Sequence, residues 1–170
     1  MRLEAWQVIA LLVIPSVIAY VGFDDFKKAQ GEGLQWVNPL VIPEEVQAIQ
    51  WIKNHSSEND VILSDIYGTE TVMSLTNRRG VIGGDWSISN NSVTRMRNAT
   101  DFFKTNDSLE AYKIARRYGV RYALVVERQM HAGFEWLTPN NKKFEDKQYF
   151  TKAFDAGKAK VYEIKYPYAG

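Results

Sequence analysis

Cysteine is absent from the 170 residues. That excludes a disulfide framework, a thiolate nucleophile and any zinc site built on sulfur, and it leaves the redox compartment unstated. Excess charge is missing too: 21 Lys and Arg against 20 Asp and Glu give a formal net charge of +1, with no basic stripe for a nucleic acid backbone. Of the two histidines, His55 and His131, neither has a second ligand at a zinc spacing, so no metal site is expected. The chain also lacks a Gly-x-Ser-x-Gly elbow, a Walker loop, a Gly-x-Gly-x-x-Gly turn after a strand, an internal repeat and a low-complexity tract. Those are the signatures of hydrolases, nucleotide binders and solenoids. No cofactor and no complete catalytic constellation is legible.

Charge of either sign is missing from residues 5–23, which run from Ala5 to Phe23. As a helix this stretch reaches roughly 28 Å, about the thickness of a bilayer's hydrocarbon core. Trp6 and Tyr20 stand where amphipathic rings meet headgroups, and Arg2 precedes the stretch on the side usually kept cytoplasmic. A single span with the N-terminus inside is expected. Pro15 predicts a kink, and a kinked span implies helix neighbours. A cleavable signal peptide fits less well: the apolar stretch is longer than a signal core, its basic region is Arg2 alone, and no small-x-small site precedes Asp24. A buried soluble helix would carry polar residues at helical period, whereas only Gln7 and Ser16 interrupt here. The expected organisation is a transmembrane anchor over 1–24, a linker over 25–38 containing the Gln30-Gly31-Glu32-Gly33 spacer, and an extracytoplasmic domain over 39–170.

Four Asn-x-Ser/Thr acceptors, at Asn54, Asn90, Asn98 and Asn106, exceed the roughly one that chance gives a chain of this composition. They point to a surface met by a glycosylation machinery, although helix caps and turns also gather Asn beside Ser and Thr.

The domain alternates helices and strands. Pro43-Glu44-Glu45 opens a helix to Asn54, with Val46, Ile49 and Ile52 at helical spacing. Val61–Asp65 is a short buried strand, 69–76 a short helix and Arg79–Gly84 a second strand. Helices follow over Val93–Phe103 and Asp107–Tyr118, with Gly119 just past the end. Arg121–Val126 and Lys160–Ile164 are further strands. This order predicts an α/β domain with a mostly parallel sheet and the terminal strand antiparallel at an edge. Ligands of such sheets bind beyond the strands' carboxyl ends, which selects Asp65, Tyr67 and Gly68, then Asp85 and Trp86, then Glu127 to His131. Each also has a structural reading, since Asp after a strand caps the next turn and Trp after Gly-Gly covers a sheet end. Arg78-Arg79, Arg116-Arg117 and Lys142-Lys143 read as solvated faces.

The run from the Pro43 helix through Val61–Asp65, Tyr67-Gly68, Leu75–Arg79, Val81–Gly84 and Glu110–Val125, with its helix-Tyr-Gly-Val-Arg-Tyr-strand unit, resembles the extracytoplasmic C-terminal domain of archaeal GT-C-type membrane glycosyltransferases. The oligosaccharyltransferase catalytic subunit is the best known of these. The resemblance covers residues 43–126. Where that family reads its acceptor with Trp-Trp-Asp-Tyr-Gly, this chain has Ser64-Asp65-Ile66-Tyr67-Gly68: Tyr and Gly remain, while both tryptophans and the aspartate are replaced. Asp101-Phe102-Phe103-Lys104 has the spacing of the family's second motif without the apolar residue that follows it. The family's metal-binding membrane domain has no room in one span. The resemblance therefore implies a domain without its engine, either a stand-alone membrane-anchored exodomain, which Met1 favours, or the last span and exodomain of a longer enzyme. The expected function is a non-catalytic accessory or structural subunit of a larger membrane complex, with the bilayer, polytopic subunits and a glycan as partners and no nucleic acid. The alternative is the exodomain of a lipid-linked-sugar glycosyltransferase that positions an acceptor through Tyr67, Asp85 and Trp86. A ligand-binding domain secreted after signal cleavage is a third reading.

Overall fold

The computed structural model describes residues 4–37, 41–83, 90–132 and 135–166. The chain divides into two compact units, Met1–Leu40 and Val41–Gly170.

The first unit is one helix, α1 (Ala5–Val37), with Pro15 inside it and the Ser16 hydroxyl donating to the Leu12 carbonyl at 2.7 Å. The helix does not stop at Phe23. Asp24, Asp25, Lys27 and Lys28 stand at i,i+3 and i,i+4 spacings, where opposite charges support a helix, and the Lys27 ammonium lies 4.6 Å from the centre of the Phe23 ring. Residues 25–37 are therefore helical rather than a flexible spacer, with Gly31 and Gly33 each costing about 1 kcal/mol. Among the described residues no helix is long and apolar enough to cross a membrane; the side chains of Ala5, Gln7, Val8 and Ala10 lie outside them.

The second unit is α/β. Its elements are α2 (Pro43–His55), β1 (Val61–Leu63), α3 (Ile66–Thr76), β2 (Arg79–Gly80), α4 (Ser92–Lys104), α5 (Ser108–Arg117), β3 (Val120–Val126), β4 (Met130–Ala132), β5 (Glu135–Leu137), a 3-10 turn (Lys142–Glu145), β6 (Phe150–Asp155) and β7 (Ala159–Ile164). Helix ends follow local chemistry. Pro43 sits in the first turn of α2, Asp107 caps α5 by accepting from Leu109 N and Glu110 N, and Gly119 takes the left-handed φ of +62° that ends α5. Arg78, expected in solvent, ties two helix ends together: its guanidinium donates to the Ser56 hydroxyl and carbonyl, to Lys53 O and to Thr76 O.

The five-stranded sheet has the order β2-β1-β3-β7-β6, with β2, β1 and β3 parallel and β7 and β6 antiparallel to their neighbours; β4 and β5 form a separate antiparallel pair. The terminal strand β7 is thus antiparallel as expected but interior. Its reason is burial on both faces: Val161 packs with α2 residues Ala48, Ile49 and Ile52, while Tyr162 and Ile164 join Phe102, Phe103, Ala111 and Ala115 of α4 and α5. The more polar β6, with Thr151 and Lys152 exposed, takes the edge, where charge discourages further pairing. A register shift between Val61 and Ile62 leaves Arg121 as an extra residue in β3. Hence Val120, Ala123 and Val125 share one face, and Tyr122, Leu124 and Val126 share the other.

Lys143 corrects the expectation of a solvated Lys142-Lys143 pair. It is 1% exposed and donates to the carbonyls of Phe103 (3.0 Å), Thr105 (3.3 Å) and Asn140, between the rings of Phe102 and Phe144. The carbonyls at the end of α4 need donors, and a cation there also meets the negative end of the helix dipole.

Candidate functional site

Strands β1 and β3 end side by side, and the turns that leave them are held together by polar side chains. Ser64, just past β1, donates its hydroxyl to Leu124 O of β3 at 3.1 Å. Asp65, 2% exposed, caps α3: its Oδ1 accepts from Gly68 N at 2.6 Å. That cap explains Gly68. A Cβ there would fall on the Ser64 hydroxyl and lie 2.8 Å from Asp65 Oδ1, so the close approach of backbone to carboxylate requires glycine. The strand expected over 61–65 stops at Leu63 for the same reason, because Asp65 is recruited to begin the next helix.

Arg128, two residues past β3, brings a second carboxylate to this end of the sheet. Its Nη1 is 2.6 Å from Glu45 Oε2, its Nη2 donates to Glu45 Oε1 at 3.2 Å, and the same Nη2 lies 3.8 Å from Asp65 Oδ2. Glu45 is fully buried in the first turn of α2. A bidentate, planar guanidinium is the group best suited to hold a desolvated carboxylate. The cluster joins α2, the head of α3 and the exit of β3, with its charges directed at one another. Beside it, Tyr67 of α3 stacks on Trp136 of β5, ring centres 6.4 Å apart.

Of the residues selected from sequence, Asp65, Tyr67 and Gly68 therefore meet at one end of the sheet. Asp85 and Trp86 lie outside the described residues, as does the His131 side chain. Glu127 pairs with Lys160. Asn54, Asn90 and Asn106 are exposed, whereas Asn98 is buried in α4, where its amide donates to the Tyr118 hydroxyl at 2.5 Å and accepts from Arg117. His55 stacks on Trp51 and bonds the Trp51 carbonyl. Lys104, of the Asp-x-x-Lys spacing, pairs with Glu135. Glu45 and Trp136 were not singled out as site residues by sequence reasoning, and Arg128 entered only as part of the span Glu127 to His131. Glu45 is separated from Arg128 by 83 positions, and nothing local to either marks the pair. Among the described residues, no three His, Asp or Glu side chains gather as a metal-binding group.

No family model matches the chain, and no curated protein matches it. Solved structures do match. The C-terminal globular domain of an oligosaccharyltransferase from Archaeoglobus fulgidus aligns over 75% of this chain and 100% of its own length, at 17% identity and a TM-score of 0.57. Another crystal structure of an oligosaccharyltransferase C-terminal globular domain from that organism aligns over 75% of this chain and 98% of its own length, at 17% identity and a TM-score of 0.47. The α/β unit thus has the fold of the oligosaccharyltransferase C-terminal globular domain, as the sequence resemblance implied.

Proposed function

We propose that this chain is a membrane-anchored accessory subunit whose α/β unit lies outside the cytoplasm and takes part in a larger membrane complex without catalysing a reaction itself. The observation that carries this reading is the surface of α1. Leu11, Leu12, Val13 and Ile14 are all more than half exposed, and four consecutive residues at 100° each sweep almost the whole circumference of a helix. Ile9, Val17, Ile18, Val21, Phe23 and Phe26 extend that apolar surface. A helix apolar on every side is stable only where something other than water surrounds it, and the uncharged stretch 5–23 matches the bilayer in length. The non-catalytic part rests on the strand ends, where Arg128 holds Glu45 through two hydrogen bonds and lies 3.8 Å from Asp65, whose other carboxylate oxygen caps α3.

The absence of cysteine makes the test clean. An Asn54→Cys chain expressed in its native membrane should remain in the pellet after alkaline carbonate extraction, and a membrane-impermeant maleimide should label it in intact cells. Release by carbonate overturns the anchor, and labelling only after lysis overturns the sidedness.

A second reading draws on the Tyr67–Trp136 stack, an aromatic platform beside the strand ends, in a domain with the fold of an oligosaccharyltransferase exodomain. Here the chain positions an acceptor for a partner transferase. Under the first reading Tyr67→Ala, Trp136→Ala and Trp86→Ala leave glycosyl transfer in cells unchanged; loss of transfer would favour the second.

A further inference from the structure

At the opposite end of the sheet, where β3 and β6 begin and β7 ends, an open cleft of about 590 Å³ is lined by Arg121, Gln148, Tyr149, Thr151, Tyr166 and the Glu163-Ile164-Lys165 end of β7. Its volume falls within the range of small-molecule sites. The lining has two parts. The aromatic part is rigid: Tyr149 stacks on Tyr112 with ring centres 4.8 Å apart, and the Tyr166 hydroxyl donates to Val120 O at 2.6 Å, fixing its ring. The polar part mixes signs, since Arg121 Nη2 and Glu163 Oε1 are 2.6 Å apart, and the Gln148 amide and Thr151 hydroxyl are both exposed.

We propose that this cleft is a binding site for a saccharide. An anion site would concentrate donors and exclude a carboxylate, whereas here Glu163 both occupies the rim and neutralises Arg121, and the Lys165 ammonium is engaged by the Lys147 carbonyl. An apolar ligand would leave that ion pair and the Gln148 amide to be desolvated without partners. A ligand with many hydroxyl groups fits both parts, because each hydroxyl donates and accepts and the C–H faces of a pyranose can lie on tyrosine rings. The sheet explains how the rim is assembled: Glu163 of β7 stands opposite Thr151 of β6 and pairs with Arg121 of β3, so three strands deliver neighbouring side chains to one opening. The proposal concerns the far end of the sheet from Tyr67 and Asp65, and it does not depend on the proposed anchor.

The test uses the full chain in lipid nanodiscs, isotopically labelled and titrated with neutral hexoses, an N-acetylhexosamine, a hexuronic acid and inorganic phosphate. At least one saccharide should shift the amide signals of Gln148, Thr151 and Lys165. The exposed double variant Gln148→Ala/Thr151→Ala should weaken that binding at least roughly tenfold, as the loss of two hydrogen bonds to the ligand implies. Tyr67→Ala should leave it unchanged. Three results would each overturn the proposal: no saccharide shifting these signals up to about 10 mM, which corresponds to binding weaker than about 3 kcal/mol; phosphate alone shifting them; or binding that survives the double variant with its circular dichroism unchanged.

Discussion

Single residues hold this fold at places where charge has been taken out of water. Arg128 is the clearest. With Glu45 fully buried and Asp65 nearly so, replacing Arg128 by methionine keeps much of the volume but leaves a buried carboxylate without its bidentate partner, and breaking a buried ion pair from one side costs about 3–5 kcal/mol. Arg128→Met should therefore lower the denaturant midpoint of the α/β unit sharply, far more than loss of the exposed Lys152–Asp155 pair, which water screens. The two groups with large proton-affinity shifts make a pH prediction. Burial lowers the Lys143 amine from its ordinary 10.5 to about 8. The unfolded chain thus holds this proton more tightly, and the Lys143 contribution to stability rises as pH climbs from about 8 to 10.5. Burial raises Tyr166 from 10 to about 12. Its contribution is fully present below pH 10 and is lost as pH rises toward 12, where the hydroxyl bonded to Val120 O gives up its proton. Denaturant midpoints of the native chain minus those of Lys143→Met should grow between pH 8 and 10.5; minus those of Tyr166→Phe they should shrink between pH 10 and 12. A flat difference in either series would contradict the corresponding assignment.

Elements were legible in the sequence wherever they begin and end on local chemistry. Asp107 and Gly119 bracket α5, and the spacing of Met96, Ala99, Phe102 and Phe103 marks the buried side of α4. The strand β3 is a plain apolar run. What local pattern missed is what long-range pairing decides. The β6 segment Phe-Thr-Lys-Ala-Phe-Asp has little alternation and is a strand because β7 pairs with it; β4 and β5 are three residues each, too short to carry a period. The interior position of β7 follows from burial on both faces, which its sequence displays, but the neighbour that covers it could not be read from the chain. The site divides the same way. The capping role of Asp65 was legible because a carboxylate after a strand caps the following helix. The other members of its cluster, Glu45 and Arg128, come from distant segments, and the burial of Lys143 depends on carbonyls that α4 presents only once it is folded.

At the scale of the whole molecule, the two units differ in what stabilises them. Both apolar clusters of the α/β unit are built, among the described residues, from positions between 42 and 164, and the unit has helices covering both faces of its sheet. A chain beginning at Val41 should therefore fold alone, with a single cooperative transition whose midpoint lies close to that of the full chain in detergent. Such a unit of 130 residues is well above the size at which one core suffices. The full chain should behave differently only in solubility, since the apolar circumference of α1 has no cover within its own unit and aggregates in water unless detergent or lipid surrounds it. Thermal unfolding followed by circular dichroism decides between this and an obligatory helix: if the shortened chain binds a hydrophobic dye and melts without cooperativity, the α/β unit requires α1, and the description of α1 as an anchor alone fails with it.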